Sequence, residues 1–285
     1  MNEVKTNKKG STTSSVAKST VAMSGATLIC RITGLIRTWA MAFALGNTVI
    51  TSAYQVANNM PNIIFDLVAG GLLGAAFIPI FMLEKEQHGS KGGNRFACNM
   101  LNLTIILMAI FSILMTIFAP QVIATQTFTV GQQAEVSEIA VIFFRIFAIQ
   151  MLFYGIGGVL NAILNGERIY FLPAVAPAIN NIVVIASFGA YAVLYQSDQM
   201  LAIIILGVGT TLGVAVQAIV QIPALLKTGF KWQPIVDLID PALHGAIKIA
   251  IPTFIYVLGM LVAFTCRNAF SLEISDSGPA TILYA

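Results

Sequence analysis

Seven long apolar runs dominate this chain, and each, at about 24–34 residues, exceeds the ~20 that cross a bilayer core. They cover residues 20–46, 51–83, 96–119, 135–165, 171–196, 200–226 and 243–272 of the 285. Hydrophobic residues make up 57% of the sequence and charged residues 9%. A soluble domain carries roughly 25% charged residues. The chain therefore reads as an all-α polytopic membrane protein.

The basic residues follow the runs. Ten of the 15 Lys and Arg lie in the N-terminal tail and in alternate connections: Lys5, Lys8, Lys9 and Lys18; Lys85, Lys91 and Arg95; Arg168; Lys227 and Lys231. The other connections, 46–50, 120–134 and 196–199, have none, and 273–278 is acidic. The positive-inside rule then places the N-terminus in the cytoplasm. The tail, 1–19, is polar and low in complexity and is expected to be disordered. It is not a cleavable signal, because a signal's apolar core spans only ~7–15 residues and holds no Arg. Residues 20–228 hold six spans. Residues 229–242, too short and charged to cross, read as a cytoplasmic interfacial linker with Trp232 at headgroup depth. Residues 243–285 hold a seventh span and the opening of an eighth helix, where the chain ends.

Several chemistries find no support. Cys30, Cys98 and Cys266 lack metal-ligand spacing and read as small packing residues. His88 and His244 have no companions for a metal site. There is no paired-carboxylate cluster and no Gly-rich phosphate loop, so the chain reads as a non-enzyme without a cofactor. The net charge of +3 is mostly topological and gives no reason to expect nucleic acid.

Five cations lie inside the runs: Arg31, Arg37, Arg145, Lys248 and Arg267. Lys248 and Arg267 stand near the ends of the seventh run and can snorkel. Arg31 and Arg37 lie deeper, and an Arg at the bilayer centre costs roughly 2.5–3.5 kcal/mol. Six residues apart, they project about 120° from one another and can share one wide cavity. Gly34 between them allows a bend. Arg145, in the outer third of the fourth run, is expected to face the cavity, with outward snorkelling as the alternative. Asp66 is the acid set deep in a run, and its expected task is to pair with an Arg; a proton relay is the alternative. Asn58, Asn59 and Asn62 precede it, with Pro61 expected to kink the helix. Guanidinium groups stay ionised and grip phosphate in two places. Spare Arg beside an amide-lined helix thus points to an anionic, phosphate-bearing substrate and disfavours a cation antiporter.

The segment Cys30-Arg31-Ile32-Thr33-Gly34-Leu35-Ile36-Arg37 resembles the Ser-Arg-x-x-Gly-x-x-Arg signature of MurJ/MviN-type lipid II flippases, of the multidrug/oligosaccharidyl-lipid/polysaccharide exporter superfamily. Met60-Pro61-Asn62 resembles that family's Leu-Pro-Asn. Gly71 to Pro79 resembles its small-residue stretch ending in Phe-Val-Pro. Phe153-Tyr154-Gly155 through Asn165, and Pro173 to Pro177 through Asn180-Asn181, resemble its fourth and fifth helices. The resemblance implies two six-helix lobes around a cationic cavity. This chain holds one such lobe, the first helix of a second, and the start of an eighth helix at Leu283-Tyr284-Ala285. It implies flipping of an undecaprenyl-pyrophosphate-linked peptidoglycan precursor across the inner membrane by alternating access. Arg31 and Arg37 hold the pyrophosphate, Arg145 assists, Asn62 meets polar head-group atoms and Asp66 holds the Arg when the site is empty. The implied partners are the lipid-linked glycan, the bilayer and a second lobe in cis or in trans. Two readings stay open beside this one: another polyprenyl-linked glycan as cargo, such as teichoic acid or capsule units, and a non-transporting half that acts only as an interaction partner. The chain departs from the family at Ser52 and Gly70, where many members carry acids, and at Phe65, where many carry an Arg.

Overall fold

A computed structural model describes residues 3–46, 48–66, 73, 76–127 and 133–273. Among these there is no strand. Ten helices follow in order: α1 (Glu3–Leu45), α2 (Val49–Phe65), α3 (Phe77–Ile117), α4 (Ala119–Thr127), α5 (Gln133–Phe147), α6 (Gln150–Gly166), α7 (Phe171–Leu194), α8 (Gln199–Ile219), α9 (Ile222–Lys227) and α10 (Pro241–Glu273).

Five helical stretches are long and apolar enough to cross a membrane: Val21–Leu45, Phe77–Ile117, Phe171–Leu194, Gln199–Lys227 and Pro241–Met260. Ser137–Phe147 with Gln150–Gly166, bent by 43°, makes a sixth. The second expected run, 51–83, includes residues 67–72, 74 and 75, which lie outside the described residues. Helix α2 has only 17 residues, about 25 Å of rise, and three Asn lower its hydropathy. Helix α1 begins at Glu3, within the 1–19 tail. Extending a nucleated helix fixes one residue per new hydrogen bond, so a polar tail can continue it. Gly34 does not interrupt α1; its Cα approaches α7, where an added Cβ would sit 3.7 Å from Asn181 Nδ2.

The connection expected over 84–94 is almost wholly helical. Its reversal rests on Gly89, whose φ of 67° and ψ of −168° lie where only glycine is comfortable. The fourth run breaks at Ala148-Ile149, and its freed polar groups are met by α8. Thr211 Oγ1 donates to the Ile146 carbonyl at 3.3 Å and accepts from Gln150 Nε2 at 3.2 Å. Backbone groups have no water to turn to at membrane depth, so a broken helix persists only where a neighbour supplies such partners.

Packing joins α1 to α7, α7 to α8, α3 to α6 and α2 to α5. Lipid gives little hydrophobic drive between helices, and close approach at small residues replaces it. An added Cβ at Gly207 would lie 2.9 Å from Ile146 Cδ1, and one at Gly155 2.7 Å from Met108 Cγ. One core gathers Phe77, Phe81, Phe96, Met100, Met151 and Ile163 between α3 and α6. The other surrounds Tyr54, whose ring meets Phe143, Phe147 and Phe188 edge-on at 5.5, 5.7 and 5.5 Å. Leu35, Phe43 and Val193 are exposed on the bundle's flanks, as suits a lipid-facing surface.

The connections rich in Lys and Arg converge at one end, called here the basic end. Lys85 pairs with Glu167 at 2.6 Å and Arg95 with Asp237 at 3.2 Å. The expected interfacial linker lies there against α3, and Trp232 Nε1 donates to Asn102 Oδ1 at 3.0 Å.

Candidate functional site

Helices α1 and α2 are antiparallel neighbours that barely touch. A tight turn joins them: Gly46 has a φ of 63°, Thr48 Oγ1 donates to Leu45 O at 3.0 Å and Thr51 Oγ1 to Gly46 O at 2.7 Å. Arg37 lies nine residues before Gly46 and Gln55 nine after it. Equal rise on both helices brings them to one depth, about 13 Å from the turn. A cavity of about 100 Å³ opens there, lined by Arg37, Thr38 and Met41 of α1, by Tyr54, Gln55, Asn58 and Asn59 of α2, and by Phe188 of α7.

The lining has a helical logic. Gln55, Asn58, Asn59 and Asn62 follow at spacings of three, four and seven, so they share one face of α2, and Asp66 continues the stripe. Arg37 is half-buried and makes no ion pair among the described residues. Thr210 Oγ1 gives its single proton to Leu206 O at 2.8 Å, so the 3.2 Å contact with Tyr54 Oη must be Tyr54 donating. That bond fixes the Tyr54 ring in the cavity wall.

The other expected site residues fall differently. Asp66 pairs with no Arg among the described residues; it is half-buried and accepts from Asn62 Nδ2 at 3.4 Å. It stands 20 residues beyond Gly46 against nine for Arg37, a depth difference of about 16 Å. Asn62 is exposed and touches Asp66, not the cavity around Arg37. Arg31 is exposed beside Leu28, Ile32 and Leu35 and does not line that cavity. Arg145 does not face it either. Ala140, Phe143, Phe144 and Phe147 form the buried stripe of α5, and Arg145 projects about 150° away from it. It shares its outward stripe with Glu138, which the sequence analysis did not single out. Phe65, at the position resembling the family's Arg, packs at 6.0 Å on the Tyr154 ring. An added Cβ on Gly158 would lie 3.0 Å from it, so an aromatic contact seals that position.

The structure thus joins one expected residue, Arg37, to a lining that sequence reasoning named only in part. Tyr54, Gln55, Thr38 and Thr210 were missed. Gln55 was within reach, three residues before Asn58 on the same face. Chemically, the cavity offers one permanent cation and three amides, each able to donate and accept. It suits a strongly hydrogen-bonding anion.

The sequence profile of the family described as Lipid II flippase MurJ matches residues 41–285. The chain belongs to the MurJ lipid II flippase family. It is 27% identical over 281 residues to the protein named "Probable lipid II flippase MurJ" of Rhizobium meliloti (strain 1021), covering 95% of this chain and 50% of that one. It is 28% identical over 205 residues to the "Lipid II flippase MurJ" of Burkholderia cenocepacia, covering 72% and 39%. The chain spans about half the length of the MurJ relatives it matches. Among solved structures, the inward closed conformation of Lipid II flippase MurJ superposes with a TM-score of 0.70 at 21% identity, over 90% of this chain and 51% of that one. An outward-facing MATE family transporter of the MOP superfamily gives 0.65 at 18%, over 87% and 54%. The fold is MurJ- and MATE-like, in an integral membrane protein.

Proposed function

We propose that this chain is the N-terminal part of a flippase for lipid II, the polyprenyl-pyrophosphate-linked peptidoglycan precursor. It works with a second lobe supplied in cis or in trans and performs no covalent chemistry. On this reading the protein lies in the inner membrane, and the positive-inside rule supports a cytoplasmic basic end. The observation that carries the reading is the Arg37 cavity, a half-buried guanidinium without a carboxylate partner among the described residues, ringed by Gln55, Asn58 and Asn59. An unpaired buried cation is costly, and an entering pyrophosphate offsets that cost in a way a neutral lipid cannot. The amides meet the oxygens of the linked sugar. Arg31, exposed on α1, meets the same head group from the open side.

Rocking of the two lobes exposes the site to each face in turn. An inside-negative potential favours outward movement of the anion by about 2.3 kcal/mol per charge per 100 mV, and it favours return of the empty cationic site. The test is rescue of cells depleted of their own lipid II flippase, expressing this chain with the C-terminal half of a MurJ relative. Growth is expected with the parent and with Arg145→Ala, and not with Arg37→Ala. Equal rescue by Arg37→Ala, at equal membrane abundance, overturns the reading.

A further inference from the structure

Between α9 and α10 the chain leaves helical geometry and crosses α3 at the basic end. Alternate residues of an extended segment turn their N–H and C=O to the same edge. Here the odd-numbered edge faces α3. Asn94 holds both backbone groups of Lys231, donating to its carbonyl at 2.8 Å and accepting its N–H at 2.9 Å. Asn99 does the same for Asp237, at 2.8 and 2.7 Å. Asn102 donates to the carbonyls of Gln233 and Ile235 at 2.7 and 2.8 Å. A single three-residue turn, Ile235 N–H to Gln233 C=O at 2.9 Å, interrupts the run at Pro234.

An asparagine amide carries a donor and an acceptor side by side, as a peptide group does. Asn94 and Asn102 stand eight residues apart on one face of α3, with Cys98 midway and Asn99 adjoining. The helix therefore offers the crossing segment what a neighbouring strand would offer. Most of this recognition is of backbone; the side-chain contacts are Trp232 Nε1 to Asn102 Oδ1 and the Arg95–Asp237 ion pair. Trp232, Val236, Leu238 and Ile239 remain 60, 52, 66 and 85% exposed. Phe230 packs on the α3–α6 core; from Lys231 onward the attachment rests mainly on polar contacts that water can replace.

The segment has consequences at both ends. Beneath it lies Cys98, fully buried, with its sulfur 3.4 Å from the Lys231 carbonyl. Beyond it Asp240 starts α10, its Oδ1 accepting the Ala242 N–H at 2.9 Å. Among the described residues of α10, the base enters the core at Leu243 and Ala246, and Ile249, Ile251 and Ile255 are exposed.

We infer that residues 230–240 form a latch. While Asn94, Asn99 and Asn102 hold its backbone, the base of α10 is fixed on α3. When water replaces those bonds, the segment lifts, uncovers Cys98 and frees α10 to pivot against the bundle. The inference rests on the asparagine ladder alone and stands apart from what the Arg37 cavity carries.

Native Cys98 reports the state of the latch. In the chain with Cys30→Ser and Cys266→Ser, held in lipid nanodiscs, Cys98 is expected to react with a soluble maleimide at least tenfold more slowly than after denaturation. Adding Asn99→Ala with Asn102→Ala is expected to raise that rate at least tenfold, with helix content and elution profile unchanged. Hydrogen exchange on the unsubstituted chain needs no such variant: backbone amides of 230–240 are expected to exchange at least a hundredfold faster than those of α3 over 96–110. Rapid Cys98 labelling in the parent overturns the latch, as does a rate indifferent to the two substitutions. Equal protection of 230–240 and α3 overturns it too, since the segment is then a permanent fixture.

Discussion

Arg37 and Gln55 stand nine residues to either side of Gly46 and line the same cavity. This symmetry follows from two antiparallel helices of equal rise joined by a tight turn. It sets Arg37 against a wall of amides.

The cations are therefore expected to separate by function. Arg37→Ala is expected to lower flipping in reconstituted vesicles at least tenfold, about 1.4 kcal/mol or more in binding or barrier. Arg37→Lys is expected to recover only part of it, since an ammonium cannot grip phosphate in two places. Arg145→Ala is expected to stay within about twofold of the parent, because its side chain leaves the buried stripe of α5. Flux measured with a labelled lipid substrate decides among these.

Tyr54 shapes the cavity wall through its bond to Thr210. Tyr54→Phe and Thr210→Val are each expected to cost about 0.5–1.5 kcal/mol of stability. The double variant is expected to cost less than the sum, because the bond is lost only once. Thermal unfolding in detergent, followed by circular dichroism, completes the cycle.

Two backbone positions are expected to respond with opposite signs. Gly89→Ala puts a Cβ into a region open only to glycine and is expected to destabilise by about 1–3 kcal/mol. Arg168 already has a φ of 62° at the α6–α7 turn. Arg168→Gly is expected to stabilise by about 0.5–1 kcal/mol, by removing the penalty of a left-handed side chain. The two shifts in melting temperature test the two turns independently.

Close helix approach is expected to tolerate no added bulk at α8. Gly207→Leu must displace Ile146 and Phe143, both within 3.5 Å of an added Cβ. Overpacking of this kind typically costs about 1–3 kcal/mol. Gly259, with open space around it, is the control: Gly259→Leu is expected to leave stability within about 0.5 kcal/mol of the parent.

The sequence makes the helical class plain because long apolar runs and the placement of Lys and Arg obey the bilayer, and both signals are one-dimensional. Arg37 with Asn58 was legible for a related reason, since counting residues from a turn gives depth. The face of Arg145 was also written in the chain, in Phe143, Phe144 and Phe147 on the far side of the same helix, although depth alone had suggested a cavity position. The break at Ala148-Ile149 was not legible. No Pro or Gly marks it, and Thr211, which makes it tolerable, lies more than sixty residues away. The asparagine ladder was hidden for the same reason, since Asn94, Asn99 and Asn102 meet partners over 130 residues downstream. The depth of Asp66 relative to Arg37 could likewise be counted from Gly46.

The most direct measurement of the central claim is equilibrium binding of a polyprenyl pyrophosphate to the chain in lipid nanodiscs, with the neutral polyprenol as reference. The account expects the pyrophosphate to bind more tightly than the polyprenol, Arg37→Ala to weaken it at least tenfold, and Arg145→Ala to leave it within twofold. Indifference to the pyrophosphate, or an Arg37→Ala variant that binds it as the parent does, contradicts the assignment of this cavity.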